Sequence, residues 1–126
     1  VTGERDTFEV ATIDGQTYQG RRILFATGVI DNLPGIDGLA QRWGQSVFHC
    51  PYCHGYELDE GRIGVIASGP MSPHQAELLA EWGTVTFFTN GALTLEPAIR
   101  QELELKGITV EDTPIRTIAG EADCAA

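Results

Sequence analysis

Short apolar runs alternate with tight polar breaks along this chain, and their spacing changes partway. From Phe8 to Thr12 apolar and polar residues alternate, Asp14-Gly15 supplies a tight turn, and Gln16-Thr17-Tyr18 runs back, which predicts a β-hairpin. After Gly20 the run Arg21-Arg22-Ile23-Leu24-Phe25-Ala26 becomes continuously apolar at its end. That is the pattern of a strand buried on both faces, and Thr27-Gly28 breaks it. Between Gly28 and Gly44, Pro34, Gly35 and Gly38 interrupt any period apart from a helical turn around Leu39 to Trp43, so this stretch reads as a linker between two bodies. Ser46 to His49 is an extended lead into Cys50, and Gly55 and Gly61 prevent a long helix from starting at the cysteines.

Downstream the period changes to that of an α/β unit. Arg62 to Ser68 reads as a buried strand, and Gly69-Pro70 forces a turn. The following helix has Ser72 as its N-cap, Pro73 at its first position and Gln75 as a capping-box partner, with Ala76, Leu79 and Ala80 lining one face through Trp82. Gly83 ends it, Thr84 to Thr89 forms a second strand, and Asn90-Gly91 turns the chain. A second helix over Pro97 to Lys106 is stopped by Gly107, and Ile108-Thr109-Val110 forms a third strand. Residues 62–110 therefore predict β-α-β-α-β with right-handed crossovers and a parallel sheet.

Composition narrows the function classes. With 126 residues, 42% hydrophobic and 21% charged, the chain has the make-up of an ordinary globular domain, which argues against long disorder. Its net charge of −10 repels polyanions, so no nucleic acid partner is expected. No apolar run approaches the roughly 20 residues that span a bilayer, and the first six residues lack a signal core, so no membrane partner and a cytoplasmic location are expected. The chain starts without Met and stops at Ala125-Ala126 with no evident terminal cap, so either end could be a cut and an incomplete chain is expected.

Three cysteines make a poor disulfide scaffold, and two of them stand together as Cys50-Pro51-Tyr52-Cys53. A C-x-x-C pair closes a small disulfide ring and exchanges with another disulfide once one thiol ionises. His49 and His54 bracket the pair and can move protons as the ring opens and closes, and Glu57 can orient His54. Two alternatives use the same residues. Cys50, Cys53, His49 and His54 could hold zinc in a binding or interaction module, but structural zinc joins two separated ligand pairs and no second pair is present, so no metal is expected. Cys-Pro-Tyr-Cys also resembles the glutaredoxin tetrapeptide, but no long helix follows it and no later cis-proline loop is evident. Cys124 reads as a buried packing residue.

A second chemical feature is the turn Ala67-Ser68-Gly69-Pro70-Met71-Ser72, which stands where a G-x-G-x-x-G dinucleotide fingerprint would. Only Gly69 keeps that pattern, so the motif alone is equally an ordinary strand-to-helix turn.

The order of these features resembles the middle of the thioredoxin reductase family. Ala26-Thr27-Gly28, Leu33-Pro34-Gly35, Cys50-x-x-Cys53 and the strand-turn-helix at 62–82 follow one another as they do there. Cys50, Cys53, His54, Gly55 and Glu57 match a branch reading C-x-x-C-H-G-x-E, which includes disulfide oxidoreductases and dithiol oxidases of small molecules. The resemblance implies a Rossmann-like three-layer NAD(P)-binding domain over 35–126 carrying the dithiol, and the close of an FAD domain over 1–34. It implies FAD at Ala26, Thr27 and Gly28 and NAD(P)H at the 67–72 turn. Cys53 would be the thiol nearest the flavin, Cys50 the one exchanging with substrate, and His54 an acid/base. The substrate would be a disulfide or dithiol, on a thioredoxin-like protein or a small molecule, and the parent a homodimer. One departure stands out: Thr89-Asn90-Gly91-Ala92 has neither the Arg suited to NADPH nor the acid suited to NADH. A parent that re-oxidises its flavin with oxygen and makes disulfides is the competing expectation.

Overall fold

The computed structural model describes residues 1–58 and 60–120, with Glu57 described in its backbone only. It divides into two compact units, Val1–Asn32 and the residues from Leu33 onward.

In the first unit β1 (Phe8–Ala11) and β2 (Thr17–Gly20) pair antiparallel, with Phe8 opposite Gly20 and Ala11 opposite Thr17. The loop between them closes on side-chain bonds: Thr12 donates its hydroxyl to Asp14, and Thr12 N–H donates to the Gln16 carbonyl at 2.9 Å. The Thr12 hydroxyl, then the Gln16 N–H, holds the Asp14 carboxyl below the usual carboxylate range. Thr2 bridges to Glu9 on the outer edge of β1.

The buried strand expected over Arg21–Ala26 does not form: the segment is irregular, and Leu24 and Phe25 are exposed. An apolar run becomes a strand only where neighbours take its N–H and C=O groups, and among the described residues none pairs with it. Hydrophobicity alone could not report that lack of an edge.

The second unit opens with the turn of helix α1 (Leu39–Arg42). Arg42 secures it, donating to the Gly38 carbonyl at 2.9 Å and to the Gly120 carbonyl, while Ile118 N–H donates to Asp37 at 2.7 Å. Gly38 has φ 82, and a Cβ there would stand 2.0 Å from the Ile118 carbonyl oxygen, so only glycine allows this closure.

Beyond the dithiol segment lies the predicted β-α-β-α-β unit: β3 (Arg62–Ile66), α3 (Ser72–Leu79), β4 (Thr84–Phe88), α4 (Pro97–Leu105) and β5 (Thr109–Glu111). The sheet is parallel in the order β3-β4-β5, with Val65 beside Phe87 and Phe87 beside Val110. Because the order is sequential, crossovers of one hand carry both helices to the same face. There Ile63, Val65, Val85 and Phe87 meet Ala76 and Leu79 of α3, Leu103 of α4, and Ile108. Arg62 and Gly64 point to the other face and are exposed, so β3 alternates where uniform burial was expected. Lys106 ties the helices, donating to Glu77 at 2.8 Å and Glu102 at 3.2 Å.

One local expectation fails in an informative way. Ser72 is not the N-cap of α3; Met71 is, without a side-chain cap, and Pro73 is the second helical residue. The Ser72 hydroxyl instead turns back into the loop, as described below.

Phe87 is fully buried on the central strand, whereas its neighbour Phe88 is half-buried. Phe87→Ala is expected to destabilise this unit by about 3–5 kcal/mol and Phe88→Ala by clearly less. Urea unfolding of the two variants checks this; equal losses would mean that the core is not centred on Phe87.

Candidate functional site

The dithiol is presented by a very short helix, α2 (Pro51–His54), with Cys50 as its extended N-cap residue and Pro51 at its first turn. Pro51 suits that place because its fixed φ is helical and its missing N–H would be unpaired there anyway. Gly55 then ends the helix, its N–H donating to the Pro51 carbonyl at 2.7 Å, and a 3-10 turn follows over Tyr56–Leu58. The dithiol therefore sits on a single turn, without the long helix of a glutaredoxin.

The two sulfurs lie 2.9 Å apart, with Cys53 Sγ donating to Cys50 Sγ, and they are not bonded to each other. That separation leaves only a small rotation before a bond of about 2.05 Å could close. The same donation is the main reason the Cys50 thiol is held below the usual thiol range; the backbone N–H groups of Cys53 and Tyr52 add to it. Cys50 is half-buried and Cys53 exposed.

Aromatic residues hold this turn from both sides. Trp82, just past the end of α3, lies over Gly55 so closely that a Cβ there would stand 3.2 Å from its indole and 2.6 Å from the Pro51 carbonyl oxygen. The Phe48 and His54 rings stack with centroids 4.1 Å apart and planes 18° from parallel, and Trp43 stacks on His49 at 5.8 Å. Tyr52 and Tyr56, on either side of Cys53 and His54, are 81% and 86% exposed and leave broad apolar surface beside the thiols. Among the described residues no three Cys, His, Asp or Glu side chains come together as a metal site would need. The Glu57 side chain and Cys124 lie outside what is described.

The 67–72 turn is a separate structure that looks inward. Ser72 is 2% exposed; its hydroxyl accepts the N–H groups of Ser68 at 3.0 Å and Gly69 at 3.2 Å, and its own N–H donates to the Gly69 carbonyl at 3.0 Å. Pro70 has no N–H to give, so of Ser68 to Ser72 only Met71 keeps an N–H unengaged in the turn. At the ends of β4 and β5, Arg100 is held by both oxygens of Asp112 at 2.9 and 2.6 Å, and Thr89 also donates to Asp112. Ala26, Thr27 and Gly28 belong to the first unit, exposed and irregular, with Gly28 at φ 70.

Comparison with known proteins bears on the whole arrangement. No family model matches the chain. It is 42% identical over 94 residues to a protein named thioredoxin reductase tcpT of Claviceps purpurea, covering 70% of this chain and 29% of that protein. A second relative, thioredoxin reductase aclD of Aspergillus oryzae, is 38% identical over 105 residues, with 77% of this chain and 33% of that protein covered. The crystal structure of an oxidoreductase from Agrobacterium tumefaciens superposes with a TM-score of 0.77 at 50% identity, over 94% of this chain and 40% of that one. The chain belongs to the thioredoxin reductase-like family. It spans about a third of the length of the two curated relatives described. For a thioredoxin reductase-like chain, the parallel three-stranded α/β unit is the expected fold.

The motif pointed to the cysteines and to His54. It did not point to Phe48, Trp43 or Trp82, although Phe48-His49 next to the dithiol was a visible signal; Trp82 lies 29 positions from Cys53 and meets the turn only through the fold.

Because Cys53 is the principal stabiliser of the Cys50 thiolate, alkylation of Cys50 should show its midpoint below the ordinary cysteine value of about 8.5. Cys53→Ala should raise that midpoint, with the backbone donors keeping part of the effect. Rates of iodoacetamide labelling against pH, read by mass at Cys50, check this; a midpoint unmoved by Cys53→Ala would remove the sulfur–sulfur donation as its cause.

Proposed function

We propose that the whole protein is a flavin-dependent dithiol–disulfide oxidoreductase whose working group is the Cys50–Cys53 pair. The observation that carries this reading is the 2.9 Å sulfur pair with one thiol held toward the thiolate. In this reading residues 1–34 close an FAD domain, residues 35–126 are an NAD(P)-binding-like domain that carries the dithiol, and the parent is a cytoplasmic homodimer. FAD, when bound, accepts two electrons from the dithiol or returns them. Ala26, Thr27 and Gly28 offer backbone groups and one hydroxyl at an exposed stretch, which fits the border of such a site rather than all of it.

The chain's own residues perform the exchange. When the pair is oxidised, a substrate thiolate attacks Cys50 Sγ, the Cys50–Cys53 bond breaks, and Cys53 leaves as a thiolate that takes a proton from His54. The second substrate thiol gives its proton to His54 and attacks the substrate sulfur of the mixed disulfide. Cys50 leaves as a thiolate, and a substrate disulfide has formed while the enzyme holds two reduced sulfurs. The lowering of the Cys50 pKa serves both directions, because a more acidic thiol leaves faster and ionises more readily for the reverse attack. His54 adjoins Cys53 and is half-buried; Glu57 is the residue assigned to orient it.

Two directions share this chemistry: reduction of a thioredoxin-like or small-molecule disulfide at the expense of NAD(P)H, and oxidation of a small dithiol at the expense of oxygen. The turn favours the second. A diphosphate at 67–72 needs free backbone N–H groups, and those of Ser68, Gly69 and Ser72 are already engaged. These residues as arranged do not fit the nicotinamide dinucleotide, and Arg100 is committed to Asp112.

The test is anaerobic and uses the whole flavoprotein. A small dithiol should bleach the flavin, air should restore it, and NADPH and NADH should leave it oxidised. Bleaching by either nucleotide would establish the reductase direction instead. Bleaching by the dithiol at an unchanged rate in the Cys50→Ser and Cys53→Ser variants would remove the pair from the reaction altogether.

A further inference from the structure

We infer that Phe48 is a positioning residue that sets the plane of the His54 imidazole beside the dithiol; this rests on the proton-transfer reading of His54 given above. Two anchors frame the site. Phe48 follows a turn fixed from α1, where Ser46 and Val47 N–H donate to the Arg42 carbonyl at 3.1 and 3.0 Å and Gly44 N–H donates to the Val47 carbonyl at 2.9 Å. His54 precedes Gly55, whose backbone is held under Trp82 and bonded to Pro51. The two rings thus come from separately secured pieces of backbone and meet face to face at 4.1 Å and 18°.

That geometry removes a freedom the imidazole would otherwise have. The outer torsion of a histidine is broad and roughly two-fold, so a half-exposed ring would sample many planes. With one face covered by a phenyl ring, His54 can swing only within the plane of the stack, and its nitrogens stay at the rim, where a proton can be passed. An acid/base works only when its proton lies within hydrogen-bond reach of the reacting atom, so a loose ring spends much of its time out of use. His49, the other imidazole beside the dithiol, stacks more distantly on Trp43 and is exposed, which marks His54 as the more tightly held of the two.

Phe48→Leu keeps an apolar side chain and removes the flat face, whereas Phe48→Tyr and Phe48→Trp restore it. In the whole flavoprotein, Phe48→Leu should lower kcat for dithiol turnover about tenfold with KM little changed, and Phe48→Tyr should recover most of the loss. His54→Gln, run alongside, separates the two levels of the reading. If His54→Gln leaves turnover unchanged, the proton-transfer role and this inference fall together. If His54→Gln slows turnover but Phe48→Leu does not, or if Phe48→Tyr fails to recover it, only the positioning role falls.

A second readout needs no activity and guards against simple misfolding. In the 126-residue chain the imidazole protons of His54 should resonate upfield of those of His74, whose side chain is exposed, because they lie over a phenyl ring. Phe48→Leu should move them to the His74 position while near-UV circular dichroism stays unchanged, and Phe48→Tyr should keep them upfield. Shifts of His54 that do not respond to Phe48→Leu would overturn the stack as the force that holds the ring.

Discussion

The contact between Gly55 and Trp82 is what makes the dithiol part of the fold rather than a loop beside it. A helix of one turn has no stability of its own, since nucleation costs more than a single hydrogen bond returns. α2 has four residues, so its shape must come from what it packs against, and that is the end of α3. The same corner is closed by a second tight glycine: a Cβ at Gly83 would stand 2.3 Å from the Gly61 carbonyl oxygen, which accepts Thr84 N–H at 3.0 Å. The turn after the cysteines, the start of β3 and the end of α3 are thus locked at one point by residues that have no side chain to spare.

From this follows why much of the fold was legible in sequence. The hairpin and the β-α-β-α-β unit are marked by local devices: Asp14-Gly15, Gly69-Pro70, Gly83, Asn90-Gly91 and Gly107 each end one element where the chain must turn. Such devices act within a few residues and need no knowledge of the rest. The segment Arg21–Ala26 shows the converse. Its apolar run is a sound statement about what it would bury and says nothing of whether a neighbouring strand is there to receive it. Ser72 shows a subtler limit. A serine before Pro73 has the chemistry of an N-cap, but the same hydroxyl can serve either its own helix or the preceding loop. Which of the two wins depends on the unpaired N–H groups nearby.

The site divides along the same line. Cys50, Cys53 and His54 announce themselves by spacing, because the exchange chemistry proposed for them needs them close in sequence. Phe48 lies within that window too, but reads as ordinary lead-in strand until its ring is seen against His54. Trp82 gives no signal at all, since an aromatic residue at the end of an amphipathic helix is what core packing would place there. The residues proposed to do the chemistry were therefore visible in the sequence, and the aromatic rings packed against them were not.

The 67–72 turn is closed by its own hydrogen bonds. A buried N–H without a partner costs about 1–3 kcal/mol, so a strand-to-helix turn that is to bind a phosphate must leave its donors facing water, where they stay satisfied until a ligand arrives. Here the donors of Ser68 and Gly69 are met from within by the hydroxyl of the buried Ser72, and Ser72 N–H closes back on Gly69. The turn is stable as it stands, and a diphosphate entering it would have to break three internal bonds before making its own. Past the same, C-terminal end of the parallel sheet, after β5, the Arg100–Asp112 pair imposes the same condition on any added phosphate. A Rossmann-like unit built in this way keeps a rigid parallel sheet and the α3 end beside which Trp82 holds the dithiol turn, with the Ser68, Gly69 and Ser72 donors engaged inside its own turn. On the oxidase reading proposed above, holding the dithiol is the task that this construction serves.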